Sequence, residues 1–202
     1  MLTAFSQTLA ATDKMRATEK SWIEIGYRHF ALEGPRALKI ERISKEVGKN
    51  KSSFYHLFAD IEIFTRRLLN YHYEQAKVIA SKEAVTKNEH ELIEILVNHK
   101  IDLLFNRQLR INRENPEFEN CFKKIDKISL PAIMPIWKGI IGLSENSFLA
   151  EMVLVLSLEN FYLQITDETL NEAWIRAFFV KIKEMVRMFK STKATLSLDG
   201  TV

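Results

Sequence analysis

Ile40-Glu41-Arg42-Ile43-Ser44-Lys45-Glu46-Val47-Gly48-Lys49-Asn50-Lys51-Ser52-Ser53-Phe54-Tyr55-His56-Leu57-Phe58 reads as a short helix, a glycine-centred turn and a second short helix. Ile40, Ile43 and Val47 recur at i, i+3 and i+7, one helical face. Gly48 stands where a helix ends in the left-handed conformation that costs glycine little. Asn50 or Ser52 can cap the next segment, whose Phe54, Leu57 and Phe58 again share a face. Two short amphipathic helices hinged by glycine are the pattern of a helix-turn-helix, whose second helix can enter a DNA major groove. The same geometry also occurs in proteins that bind no nucleic acid, so the pattern alone leaves both readings open.

Charge adds weight to the first reading. Residues 36–58 carry Arg36, Lys39, Arg42, Lys45, Lys49 and Lys51 against only Glu41 and Glu46. Residues 14–73 hold twelve Lys and Arg against seven Asp and Glu, whereas the whole chain carries only +3. A basic N-terminal third on a slightly acidic body is the asymmetry of a protein whose one end meets a polyanion.

Working outward, residues 1–13 read as a loose arm of mixed polarity. A first helix is expected over 18–33, with Thr18 as N-cap and Trp22, Ile23, Gly26 and Phe30 as its inner stripe. Gly34-Pro35 ends it. Asp60 caps a fourth helix over 61–81, whose Phe64, Leu68 and Tyr71 face back toward the first three. The polar stretch 82–89 marks a boundary. Beyond it, one helix is expected over 89–112 and a short one opens at Asn115-Pro116. A short or bent segment over 129–141 contains Pro131 and Pro135 and ends at Gly142.

The last two helices are the clearest. Within a helix expected over 147–165, residues 152–158 are apolar nearly all round, and Trp174, Ile175, Phe178, Phe179, Ile182, Met185, Val186 and Phe189 recur at helical spacing. Their apolar stripes exceed what one subunit of this size needs to cover, which points to a homodimer built through a four-helix bundle. A polar, frayed tail is expected from Ser191. No strand alternation is persuasive, so the expected class is all-α. It comprises a helix-turn-helix domain (14–60), a connecting helix (61–81) and a larger helical domain for effector binding and dimerisation (82–192).

Other classes find little support. HExxH, paired Glu-x-x-His, a phosphate-binding glycine loop and CxxC are all missing, so no enzyme or cofactor is implied. The single cysteine, Cys121, cannot form an internal disulfide. No run approaches the ~20 apolar residues of a membrane helix, and the N-terminus lacks a basic secretory start, so a cytoplasmic protein without membrane contact is expected. His99 and Asp102 have a metal-compatible i, i+3 spacing, but two ligands make a weak metal signal.

From Trp22 to Phe64 the chain resembles, without a gap, the N-terminal domain of the TetR family of transcriptional regulators. The residues that carry the resemblance are Trp22-Ile23, Gly26, Phe30 and Gly34, then Ile43-Ser44, Gly48 and the aromatic tetrad Tyr55-His56-Leu57-Phe58, and finally Asp60 and Phe64. The resemblance implies a dimeric DNA-binding regulator, by default a repressor, whose larger domain dimerises and often encloses a small-molecule effector. The chain departs from the family pattern at Lys39, where Thr or Ser is usual, at Lys49 for Val, and at Ile61 for a phosphate-gripping Lys.

On this reading the helix from Lys51 to Phe58 lies in the major groove of a near-palindromic operator. Lys51, Ser52 and Ser53 can reach base edges. Tyr55 and His56 match positions that touch phosphate or sugar. Lys49 or Lys51 can replace the charge missing at Ile61, and Thr18 can meet phosphate through helix N-terminal amides. Lys14, Arg16 and Arg36 add sequence-independent attraction. His99, Phe105, Phe122, Trp137, Asn160, Tyr162 and Gln164 are candidates to line a pocket for a mostly apolar effector, with ordinary core packing as the alternative for each. Two other functions fit the same residues: a TetR-like helical interaction protein that has lost specific DNA binding, or a helical enzyme.

Overall fold

The computed structural model describes the backbone of residues 2–198 and the side-chain environments of residues 17–191. Within these bounds the chain forms nine α-helices and no strand: α1 (Leu2–Glu33), α2 (Ile40–Val47), α3 (Lys51–Phe58), α4 (Ile61–Glu83), α5 (Glu89–Asn98), α6 (Lys100–Ile111), α7 (Pro116–Ile141), α8 (Ser147–Gln164) and α9 (Glu172–Leu198). A 3-10 turn at Pro35–Ala37 joins α1 to the strand-like link before α2. The all-α architecture expected from periodicity is the one adopted.

The N-terminal helices close around aromatic rings. Trp22, Phe30, Phe54, Phe58 and Phe64 are all buried, with Trp22 edge-on to Phe54 at 5.4 Å and Phe58 edge-on to Phe64 at 4.8 Å. Edge-to-face pairs of this kind add to the gain from burying the rings themselves. Gly48 adopts φ 69°, and the amides of Gly48 and Lys49 bond back to Lys45 and Ser44, closing α2 in a Schellman turn. Asn50 accepts from Ser53 N at 3.0 Å and starts α3. Lys39 precedes α2 in extended backbone without a side-chain cap bond. Ala59 takes φ 59°, a strained value for a side-chain-bearing residue, and turns the chain from α3 into Asp60, the cap of α4.

Several boundaries differ from the sequence reading. α1 begins at Leu2, so the described part of the arm expected at 1–13 is helical, and Thr18 sits inside the helix instead of capping it. Lys14 and Arg16 lie outside the described side chains. The helix expected over 89–112 breaks at His99 (φ −105°, ψ 28°), whose ring is held by Lys82 of α4 and by Asp102 in the next turn. Conversely, α7 runs unbroken for 26 residues through Pro131 and Pro135. Both prolines lie on its solvent face, four residues apart, so the carbonyls deprived of amide partners can turn to water while the opposite face packs on α4. α9 continues past Ser191 to Leu198.

α1 lies along α6, and α4 packs most extensively on α7. The buried apolar residues form one continuous cluster that runs from the helix-turn-helix into the larger helical body. Tyr27 and Phe30 of α1 stack on Phe105 of α6, with ring centroids 4.3 and 4.2 Å apart. Aromatic stacking therefore holds α1 directly against the body.

Candidate nucleic-acid interface and buried cavity

α3 is anchored by one face and bare on the other. Phe54 and Phe58 are buried, whereas Lys51, Ser52, Tyr55 and His56 are exposed, Tyr55 at 53 %. Ser53 is half-buried, and Lys49 projects from the turn before the helix. Lys51 Nζ lies 2.5 Å from Glu41 Oε1 of α2, which orients the ammonium beside the exposed face. α1 and α2 are locked by Arg42, which donates two 2.7 Å bonds to Glu33, and by His29, 2.9 Å from Glu46. Thr18 lies a full helical segment away from any helix N-terminus, so the amide argument for phosphate contact there fails.

The body holds a cavity of about 90 Å³ lined by residues of α4 to α9. That is several times the roughly 10–15 Å³ needed for one water. Ile79, Leu96, Ile133, Trp137, Phe161 and Phe178 contribute its apolar wall; His72, Glu83, Asn106, Ser157 and Tyr162 contribute polar groups. Glu83 Oε2, His72 Nε2 and Asn106 Oδ1 are buried without a hydrogen-bond partner. Burial raises the Glu83 carboxyl to about 7 and lowers the His72 ring to about 3, because desolvation disfavours the charged form of each.

A directed chain of hydrogen bonds leaves this cavity for α1. Lys82 Nζ is 2.8 Å from His99 Nε2, and His99 Nδ1 is 2.9 Å from Asp102 Oδ2. The Tyr27 hydroxyl donates to Asp102 Oδ1 at 2.7 Å and lies 2.7 Å from His72 Nδ1. With its one hydrogen committed to Asp102, Tyr27 accepts from His72 Nδ1–H, which leaves His72 Nε2 as an acceptor facing the cavity. Nearby, Arg110 is sandwiched between the rings of Phe122 and Tyr162 at 4.8 and 4.6 Å and is paired with Asp126 and Glu159.

Of the pocket residues expected from sequence, the structure brings Trp137 and Tyr162 to the cavity. Phe105 is packed between α1 and α6, and Phe122 lies under Arg110. His99 stands in the hydrogen-bond chain outside the cavity wall. Asn160 and Gln164 bond to each other on the rim of an exposed groove between α8 and α9. His72, Glu83 and Asn106 were missed. They sit among charged or polar neighbours in sequence, and only the inward turn of α4 and α6 sets them apart. Among the described residues no cluster of three His, Cys, Asp or Glu is placed to hold a metal, and no helix is long and apolar enough to cross a membrane.

A three-helix unit with an exposed third helix, joined by α4 to a helical body, is a TetR-like fold, the class that the sequence resemblance implies. A crystal structure of a protein assigned to that family, from Mesorhizobium loti MAFF303099, superposes with a TM-score of 0.55 over 88 % of this chain and 97 % of that one, at 12 % identity. In sequence, the chain is 26 % identical over 160 residues to the uncharacterized HTH-type transcriptional regulator YuxN of Bacillus subtilis (strain 168). That match covers 74 % of this chain and about half, 55 %, of the relative. No family model matches the chain.

Proposed function

We propose that the protein is a DNA-binding transcriptional regulator, acting as a homodimeric repressor that leaves a palindromic operator when an effector occupies the cavity. The observation that carries this reading is α3: a capped helix pinned by Phe54 and Phe58 that presents Lys51, Ser52, Tyr55 and His56 outward. Lys51 and Ser52 would read base edges, with Ser53 at the groove margin, while Tyr55, His56 and Lys49 would hold the backbone. Lys49 and Lys51 would supply the charge that Ile61 lacks.

The dimer reading rests on α8 and α9. Phe148, Met152, Leu156 and Leu163 on α8, and Met185, Met188 and Phe189 on α9, are large apolar side chains left exposed in the single chain. Joined face to face, two such helix pairs would bury this surface and set two α3 helices roughly 34 Å apart, one duplex turn. An effector contacting His72 would act on α1 through the His72–Tyr27–Asp102 chain. It shifts the spacing only to the extent that it prefers one arrangement of that chain.

A gel-shift assay with the DNA upstream of the protein's own gene tests the reading. A palindrome-dependent shift that weakens with salt is expected, with Lys51→Ala and Tyr55→Ala each lowering affinity. Binding that ignores sequence in the wild type would instead support a helical interaction protein without an operator.

A further inference from the structure

We propose that the cavity binds a small lipophilic organic cation, with an ammonium group on the Glu83 carboxylate and a hydrocarbon body against the aromatic wall. As an effector this ligand rests on the regulator reading above; as a ligand it does not. Glu83 is only 6 % exposed, and its Oε2 has no hydrogen-bond partner among the described residues. A buried carboxylate without a partner is costly, and the cost is removed either by a proton or by a counter-charge.

The protein supplies no counter-charge. The buried cation Arg110, which is not part of the cavity wall, is taken by Asp126 and Glu159. Lys82 is turned to His99. Asp102, which also faces the cavity, is satisfied by Tyr27 and His99. Asn106 donates through Nδ2 to Tyr162 at 2.9 Å and also interacts with the His72 ring, which burial keeps neutral, so neither group brings a positive charge. The Ser157 and Tyr162 hydroxyls on the wall can donate to a ligand, but the charge on Glu83 is left for the ligand to balance.

The apolar wall selects the rest of the ligand. Trp137, Phe161 and Phe178 present rings whose faces attract cations and whose area favours hydrocarbon. An anion would meet the Glu83 carboxylate, with Asp102 and Asp126 also on the wall. A neutral hydrocarbon would fill the space but leave Glu83 unpartnered. A compact amine with an aromatic or aliphatic body satisfies both walls.

Calorimetric titration of the full chain at pH 8, without DNA, tests this with 2-phenylethylamine, the neutral isostere 2-phenylethanol and the anion phenylacetate. The amine is expected to bind at least tenfold more tightly than the alcohol, with phenylacetate weakest. Glu83→Gln should reduce the amine to the level of the alcohol while leaving the alcohol's affinity nearly unchanged. Equal or tighter binding of the alcohol or the anion, an amine preference that survives Glu83→Gln, or no amine binding at millimolar concentration would overturn the proposal. Should Glu83→Gln fail to fold, the order of the three ligands on the wild type still decides. Operator binding without amine binding would refute only the cation; amine binding without operator binding would refute only the regulator.

Discussion

The ring of Phe64 rests on the bare backbone of Gly26. A Cβ added at position 26 would stand 2.4 Å from Phe64 Cζ and 2.6 Å from Cε1. Phe64 is fully buried against Phe54 and Phe58, so its ring cannot swing aside without disturbing both. This close approach sets how tightly α4 sits on α1, and hence how the helix-turn-helix is carried by the body. Gly26→Ala is expected to destabilise the protein by about 1–3 kcal/mol, the usual cost of overpacking. Urea unfolding measures it, and Phe64→Leu in the Gly26→Ala background should recover part of the loss. Additive losses in the double mutant would exclude the direct contact.

Tyr27 is the junction between α1 and the cavity. Tyr27→Phe keeps the stack on Phe105 but strips the partner from His72 Nδ1 and from one Asp102 oxygen. A loss of about 1–3 kcal/mol is expected, since buried polar groups are left unpaired. Under the proposed function, the variant should retain operator affinity but show a smaller release by effector. Fluorescence anisotropy with and without ligand separates the two effects.

Glu83 makes stability depend on pH in a defined direction. Its folded-state carboxyl titrates at about 7, above the ordinary 4.5, so the folded protein holds the proton more tightly than the unfolded chain. Its contribution is intact below about pH 4.5 and is lost as pH rises through 7. His72, lowered to about 3, works in the opposite sense, losing its contribution as pH falls below 6.5. The two nearly offset in the wild type between these values, so the difference between variants is the useful measure. Relative to wild type, Glu83→Gln should gain stability from pH 5 to pH 8, by on the order of 2–3 kcal/mol. A pH-independent difference in unfolding midpoints would show that Glu83 is not held protonated by burial.

The exposed face of α8 and α9 yields a prediction about assembly. Leu156 is 68 % exposed in the single chain. Leu156→Glu should therefore leave the fold intact, by far-UV circular dichroism, yet convert a dimer into a 23.5 kDa monomer in sedimentation. A wild type that already sediments as a monomer at micromolar concentration would remove the dimer from the proposed function.

Much of the architecture was legible in the residues because it depends on local rules. The period of Ile40, Ile43 and Val47, the left-handed Gly48, the caps at Asn50 and Asp60 and the buried faces of Trp22, Phe30, Phe54 and Phe58 follow from backbone sterics and amphipathicity. So does the exposed, basic side of α3. Local rules misjudged the prolines of α7 and the cap at Thr18. A proline on a solvent face is tolerated when the opposite face is packed, and Thr18 has a cap's chemistry but lies mid-helix.

The cavity was decided by tertiary structure alone. His72, Glu83 and Asn106 lie 11 to 34 residues apart on two helices, in contexts that read as ordinary polar surface. Only the packing of α4 and α6 beneath α7 and α8 turns them inward, away from water. Hydrogen bonding of a backbone turn can be read from a few neighbouring residues. The absence of a partner for a carboxylate cannot, because it depends on every side chain that the fold brings near and on none that sequence places beside it.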